Sequence, residues 1–269
     1  TGTNGKTTTS RIVAQLTRTL GKPCGVIGTL GATLEDGITV ASNTTPDALS
    51  LQRQLAEWFD QDVLAVSMEV SSHALEQGRV NGVAFETAIY TNLSHDHLDY
   101  HGSMAAYGRA KQRLFSVEGL RHAVINMDDP FGTSIKAAVA GDVQVLTYSA
   151  SGAPADVRVE NAQFYSDGVR GDLHTPWGDA TFFSPLPGDF NLANLAASVT
   201  ALVLGGEDLR SVLGATASLQ PVPGRMQVIP NTLDIQVIVD YAHTPHALEQ
   251  VLKALRPHVR GSLVTVFGC

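Results

Sequence analysis

Cysteine is almost missing from this sequence: Cys24 and Cys269 are the only two in 269 residues. Two thiols provide no disulfide framework and no cysteine spacing for a structural metal. Long apolar runs are missing too, so no segment reads as a membrane span. There is no charged-then-apolar leader, and a cytoplasmic protein is expected. Basic residues are in the minority, 18 Lys and Arg against 26 Asp and Glu, for a net charge of −8. That balance argues against a general nucleic-acid binder but leaves room for a local basic site that takes a nucleotide. What remains is a globular composition, 43% hydrophobic and 16% charged. The length suits one large domain or two smaller ones.

The first ten residues, TGTNGKTTTS, have the composition of a phosphate cradle. Gly2 and Gly5 let the backbone turn tightly and present N–H groups to an anion. Thr3 and Asn4 lie between them, and Thr8 extends the threonine run. Lys6 places a cation for the β- and γ-phosphates, and Thr7 offers a hydroxyl to Mg²⁺. SRIVAQLTRTLG then reads as a helix, with Ile12, Val13, Leu16 and Leu20 on one face and Gly21 as its stop. A helix N-terminus favours the same anion. The loop is shorter than the common GxxxxGK[ST] pattern, and the strand that usually precedes such a loop is missing.

Strand and helix patterns alternate through roughly the first 150 residues. CGVIG, VLAVSMEV, ETAIYTNL, HAVINM and VQVLTYS are β-rich. TPDALSLQRQLAEWF and SMAAYGRAKQRLF are amphipathic. The pattern predicts an α/β fold, a P-loop-type, mostly parallel sheet flanked by helices. Between 156 and 184, VRVENAQFY, VRGDLHT and ATFFS predict a small antiparallel insert. NLANLAASVTALVLGG returns to helix, and LQPVPGR reads as a linker. DIQVIVDYA, a helix from about Pro245 to Leu255, and SLVTVFGC then predict a strand–helix–strand unit. The expected division is 1–220 and 221–269. Both ends fall inside a structural unit, so a piece of a longer protein is expected.

Six further clusters carry chemistry-bearing residues. SNTTPD holds Asn43, Thr44 and Thr45, the last also a candidate helix cap. In MEVSSHALEQGR, Glu69 lies near the C-terminal end of a strand, the edge where open α/β sheets bind ligands. Ser71 and Ser72 are candidate caps, and no G-x-S-x-G elbow surrounds them to suggest a hydrolase. TNLSHDHLDYHG packs His95, His97 and His101 with two aspartates. That density suits zinc, or one imidazole with carboxylates around Mg²⁺. Lys111 is flanked by Arg109 and Arg113, ordinarily a solvated face. Asn191 and Asn194 share a helix face, with amides able to read an adenine edge. Arg225 lies in PGRMQ, and Asp240 and His243 follow a strand.

TGTNGKTTT, MEVSSHAL, TNLSHDHLDYHG, PGDFNLANLAAS, PGRMQ and VDYAHTP, in this order, closely resemble the Mur ligases of peptidoglycan synthesis. The resemblance covers nearly the whole chain. It implies a central ATPase domain followed by the start of a Rossmann-like ligase domain, with a UDP-binding domain upstream. Within the family, SNTTPD and VDYAHTPHALE look like members that add a diamino acid, meso-diaminopimelate or L-lysine, to UDP-N-acetylmuramoyl-L-Ala-D-Glu. The implied reaction is an ATP-dependent amide ligation through an acyl phosphate. By the same resemblance, Gly2, Thr3, Asn4, Gly5, Lys6, Thr7, Thr8, Asn191, Asn194, Arg225 and Asp240 bind ATP. Asn43, Thr44, Thr45, Ser71, Gln77 and Arg79 contact the UDP-muramoyl peptide. Thr7, Glu69, His97 and a carbamylated Lys111 hold Mg²⁺, and Lys6, His97 and Lys111 are catalytic. The carbamate needs a neutral amine, which burial or cations such as Arg109 or Arg113 would supply by lowering a pKa of about 10.4. The implied partners are the UDP-linked dipeptide, ATP and the diamino acid, with no nucleic acid and no membrane. A monomer is expected. Folylpolyglutamate synthetases share the architecture and a similar GTNGK loop, but their loop usually continues Gly-Ser. A non-catalytic nucleotide-binding relative is the other alternative, against which the intact Lys6, Glu69, His97 and Lys111 argue.

Overall fold

The glycine–threonine stretch runs straight into α1 (Lys6–Thr19), with Gly5 as its N-cap at φ 82°. The computed structural model describes all residues except 35–37, 40, 234, 243–244 and 269, and the side chains of 245 and 246. His243 and Cys269, named above, therefore lie outside the described residues. After α1 come β1 (Cys24–Gly28), β2 (Gly31–Thr33), α2 (Ala48–Phe59) and β3 (Ala65–Met68). Then follow α3 (Ser72–Glu76), β4 (Thr87–Tyr90), α4 (Leu98–His101) and α5 (Met104–Gln112). Next are β5 (His122–Asn126), α6 (Gly132–Ala138), β6 (Gln144–Ser149), β7 (Val157–Tyr165), β8 (Gly168–His174) and β9 (Ala180–Ser184). The chain continues through α7 (Asp189–Leu204), α8 (Leu209–Ala215), β10 (Gln227–Ile229), β11 (Val237–Val239) and α9 (Pro245–Leu255).

The fold is mixed α/β. One sheet has six strands in the order β4-β5-β6-β7-β8-β9, and a second has the order β2-β1-β3. Pairings β4–β5, β5–β6 and β6–β7 are parallel, and β7–β8 and β8–β9 are antiparallel. The expected antiparallel stretch is β7–β9, and it prolongs the main sheet because β7 joins β6. β1 and β3 are parallel to each other, but β3 and β4 belong to different sheets. Residues 65–69 and 86–89, together with Thr1, line one pocket of about 600 Å³.

The core explains this layering. β5 is paired on both sides, and its side chains alternate between two apolar clusters. Val124 packs with Ile12, Leu16 and Leu195, whereas Ala123 and Ile125 pack with Trp58, Tyr90 and Phe115. α7 is apolar almost all round, as a helix buried between α1 and the sheet must be. The last residues form a smaller unit, with β10 antiparallel to β11 and Met226, Ala254 and Leu255 as its buried cluster. SLVTVFGC, expected as a strand, has no ladder among the described residues; Val264, Val266 and Phe267 are exposed. A strand exists only against a partner, and none lies beside it among the described residues. No helix among the described residues is long and apolar enough to cross a membrane.

Ile125 is fully buried on the central strand, while Arg121, just before it, is solvated. Ile125→Ala should lower unfolding free energy by about 2–5 kcal/mol. Arg121→Ala should stay within about 0.5 kcal/mol. Urea unfolding measures both, and equal effects would contradict this layering.

Candidate active site

The opening loop is held by the residues that leave β4. Thr1 lies along β4: its nitrogen donates to the Ile89 carbonyl at 2.7 Å, and its carbonyl accepts from Thr91 N–H at 3.1 Å. Thr3 N–H donates to the Asn92 carbonyl at 2.8 Å, and Asn4 N–H donates to Asn92 Oδ1 at 2.9 Å. Thr91 Oγ1 donates to the Asn4 carbonyl at 2.6 Å, and Thr3 Oγ1 accepts from Ser94 N–H at 3.0 Å. Gly5 carries the turn into α1 because only glycine fits there: its φ is 82°, and a Cβ would lie 2.5 Å from Asn194 Oδ1.

Lys6 folds over this loop, its ammonium donating to the carbonyls of Gly2 at 2.9 Å and Thr3 at 2.8 Å. Burial holds its pKa below the ordinary lysine value, and Glu69 and Asp96 oppose that shift. Thr7 Oγ1 donates to Glu69 Oε2 at 3.0 Å, and Glu69 Oε1 accepts from Thr29 N–H at 2.8 Å. Glu69 is 2% exposed. A hydroxyl and a buried carboxylate beside a phosphate-type loop are oxygen donors of the kind Mg²⁺ takes, so this pair fits that ion.

Lys111 is not on a solvated face. It is 1% exposed on α5, with its ammonium 4.2 Å from the centre of the Tyr107 ring. Burial first, and then the charge of Lys6, push its pKa down to about 6; the pull of Asp96 in the other direction is smaller. The neighbouring cation that matters is therefore Lys6, not Arg109 or Arg113, and Arg113 pairs outward with Glu76 at 3.0 Å. Tyr107 ties Lys111 to the loop, since its hydroxyl lies 3.2 Å from Thr3 Oγ1.

His97 caps α4 in a left-handed conformation, φ 51°, with Nε2 3.5 Å from Asp96. Its ring meets that of His73 edge-on at 4.9 Å, and His73 lies 5.3 Å from His101. Burial, with the neighbouring imidazoles of His97 and His101, holds His73 below its ordinary pKa. His95 points to solvent. Among the described residues no three His, Cys, Asp or Glu side chains are grouped as metal ligands, which leaves the zinc reading without support.

The residues expected to meet a UDP-linked substrate form a connected strip. Thr45 Oγ1 donates to the Glu69 carbonyl at 2.8 Å and accepts from Ser71 N–H at 3.0 Å. Thr45 is thus no helix cap; Asp47 caps α2, and Ser71 caps α3. Arg79 donates to the Thr45 carbonyl at 2.9 Å and to Gln77 Oε1 at 2.8 Å, and Gln77 donates to Tyr100 at 3.1 Å. Thr44 lies 3.1 Å from Thr29, and Asn43 is exposed. Asn194 lies against Gly5, and its Nδ2 donates to Asn191 Oδ1 at 3.0 Å. Arg225 stacks on Tyr241 at 4.9 Å and is close enough for its charge to act on Lys6. Asp240 accepts from Met226 N–H and Ala242 N–H, each at 2.8 Å, and so braces the turn after Arg225.

The stretches that carry these residues match models of one family. Residues 1–202 match the Mur ligase middle domain, and residues 224–269 match the Mur ligase, glutamate ligase domain. The chain belongs to the Mur ligase family. It is 48% identical over 270 residues to the UDP-N-acetylmuramoyl-L-alanyl-D-glutamate--2,6-diaminopimelate ligase of Alkalilimnicola ehrlichii, covering all of this chain and 54% of that protein. The Pseudomonas aeruginosa ligase of the same name is 48% identical, with 55% of its length covered. A solved structure of a ligase so named superposes with a TM-score of 0.87 at 42% identity, over all of this chain and 55% of that one. The apo form of L. casei FPGS gives a TM-score of 0.72 at 19% identity, covering 95% of this chain and 69% of that one, which shows a shared fold alone. The chain spans about half the length of the curated relatives it matches.

Sequence reading missed Thr29, which holds Glu69 with both its N–H and its hydroxyl. It also read TNLSHDHLDYHG for its histidines and passed over Thr91, Asn92 and Ser94, which hold the Mur ligase loop. Their polar character straight after an apolar strand was the available signal.

Lys111 titrates near 10.5 when unfolded and about 6 when folded. Between those values the unfolded chain binds more protons, so stability rises with pH across that window. In nucleotide-free, CO₂-depleted buffer, Lys111→Met should raise the melting temperature most at pH 6 and below. The gain should shrink toward pH 10, and a difference independent of pH would contradict the buried-cation account.

Proposed function

We propose that the protein carrying this sequence is an ATP-dependent amide-bond ligase of peptidoglycan synthesis. It adds a diamino acid, meso-diaminopimelate or L-lysine, to UDP-N-acetylmuramoyl-L-Ala-D-Glu. The observation that carries the reading is the placement of Lys6, Glu69 and Lys111, all buried or half-buried about one phosphate-type loop, in a chain 48% identical to ligases named for that substrate. The two units, 1–220 and 221–269, are the ATPase domain and the start of the ligase domain. A monomer in the cytoplasm fits this role.

In the proposed reaction a carboxylate oxygen of D-glutamate attacks the γ-phosphorus of ATP. The bond to the β-phosphate oxygen breaks, giving ADP and an acyl phosphate. The amine then attacks the acyl carbon and loses a proton, and phosphate departs with the former carboxylate oxygen. The loop from Gly2 to Thr8 holds the phosphates with its N–H groups other than those of Thr3 and Asn4, which donate to Asn92. Lys6 leaves the carbonyls of Gly2 and Thr3 to meet negative charge on the transferring phosphoryl group. Thr7 and Glu69 would hold Mg²⁺, which neutralises phosphate charge when bound. His97 and Lys111 are the further proposed ligands, Lys111 as a carbamate. A neutral Lys111 amine adds to CO₂, forming an N–C bond and releasing a proton, and the anion so formed removes the repulsion between two lysines. Thr44, Thr45, Ser71, Gln77 and Arg79, with the exposed Asn43, receive the UDP-muramoyl peptide. Asn191, Asn194, Arg225 and Asp240 border the nucleoside end of ATP.

Ligation by the full-length protein with the UDP-dipeptide, ATP and a panel of amino acids tests this. Lys6→Ala should lose turnover by at least about a hundredfold with an unchanged circular dichroism spectrum. Lys111→Ala should lose most activity and regain part of it with acetate, whereas Lys111→Arg, which cannot form a carbamate, should stay inactive. Full activity in Lys111→Arg, or no amide product with any amino acid, would refute the assignment.

A further inference from the structure

His258 follows α9 in the C-terminal unit and is 7% exposed. Both its ring nitrogens are used on the backbone of the preceding unit. Nδ1 lies 2.8 Å from the Tyr165 carbonyl, which can only accept, so Nδ1 carries the proton. Nε2 is then a bare acceptor, and it takes Gly188 N–H at 2.9 Å.

That N–H belongs to the Pro187–Gly188 peptide group. The carbonyl of the same group accepts from Asn191 Nδ2 at 2.7 Å. Asn191 Oδ1 accepts from Asn194 Nδ2 at 3.0 Å, and Asn194 Oδ1 accepts from Thr9 Oγ1 at 3.2 Å. Thr9 lies on α1, directly after the phosphate loop. Every donor in this series points the same way, from Thr9 through three amide groups to the imidazole and on to Tyr165. Amide dipoles aligned head to tail polarise one another, and Thr9, Asn191 and Asn194 are all buried from competing water. Gly188 is also where the C-terminal unit makes its close approach. With φ 92°, a Cβ there would lie 3.2 Å from Met226 Cε and 3.4 Å from Ala254 Cβ.

We propose that His258 is a positioning residue that couples the seating of the C-terminal unit to Asn191, Asn194 and the phosphate-loop helix. The inference rests on the reading of those asparagines as the nucleoside side of the ATP site. Displacing the C-terminal unit takes the acceptor from Gly188 N–H and frees the Pro187–Gly188 peptide to turn. Asn191 and Asn194 then lose the partners that fix their amide planes. By linkage, a nucleotide that favours the aligned asparagines favours the seated C-terminal unit equally.

Two substitutions in the full-length protein separate this role from simple packing. His258→Asn places a donor where Nδ1 was and removes the acceptor for Gly188. His258→Gln places an acceptor where Nε2 was and gives up the bond to Tyr165. Without nucleotide, the side-chain amide NMR resonances of Asn191 and Asn194 should shift in His258→Asn and stay in place in His258→Gln. The Kd for ATP should rise about tenfold in His258→Asn and stay within about twofold of wild type in His258→Gln. Thr9→Val, which leaves His258 untouched, should shift the Asn194 amide from the opposite end. Unmoved amide resonances in both His258→Asn and Thr9→Val, or equal losses in the two His258 variants, would overturn the proposal. Wild-type protein that binds no ATP would refute the nucleotide reading instead, with the amide shifts still deciding the relay.

Discussion

Everything at the candidate site depends on how the first loop is held to the end of β4. The Thr91 hydroxyl on the Asn4 carbonyl, with the Asn92 carbonyl and amide on Thr3 and Asn4, fixes the loop backbone from outside. A loop built to leave its N–H groups open for an anion cannot use them internally, so its shape must come from outside. The strand's continuation supplies that shape. Tyr107 connects it to α5 through Thr3, and thereby sets Lys111 within reach of the charge on Lys6.

The electrostatics follow from that placement. The charge of Lys6 acts on the buried Lys111, and Glu69 is a buried carboxylate already held by Thr7 and Thr29. Burial shifts both lysines toward the neutral amine, and the charge of Lys6 adds to the shift of Lys111. The arrangement makes sense for a site that receives several negative charges at once. The proposed ligation is such a context, and in it a solvated lysine on α5 would be of no use.

Much of the fold was legible because hydrophobic period is local. The strands later found as β1, β4, β5 and β6, helix α1 and the β7–β9 hairpins follow from alternation, turn residues and apolar spacing. The pairing of β3 with β1 and of β4 with β5 was not legible, since strand order depends on pairing rather than pattern. SLVTVFGC reads as a strand by composition yet has no ladder among the described residues, for the same reason. At the site, the glycines, Lys6, Thr7 and Glu69 could be picked out because their chemistry is tied to short motifs. Lys111 could not be told from a surface lysine by spacing, because its burial comes from tertiary packing and its neighbours in sequence, Arg109 and Arg113, are not the cations that act on it. Thr91, Asn92 and Ser94 escaped notice because they act through backbone groups ninety residues away, which no local pattern encodes.

The proposed ligation requires that phosphate transfer to a substrate carboxylate precede amide formation at this loop. The most direct measurement uses the UDP-linked dipeptide with ¹⁸O in its D-glutamate carboxylate, the full-length protein, ATP and the diamino acid. An acyl phosphate requires that one ¹⁸O leave with inorganic phosphate for every amide formed, with ADP as the other product. Phosphate free of ¹⁸O, or AMP and pyrophosphate in place of ADP, would contradict the account.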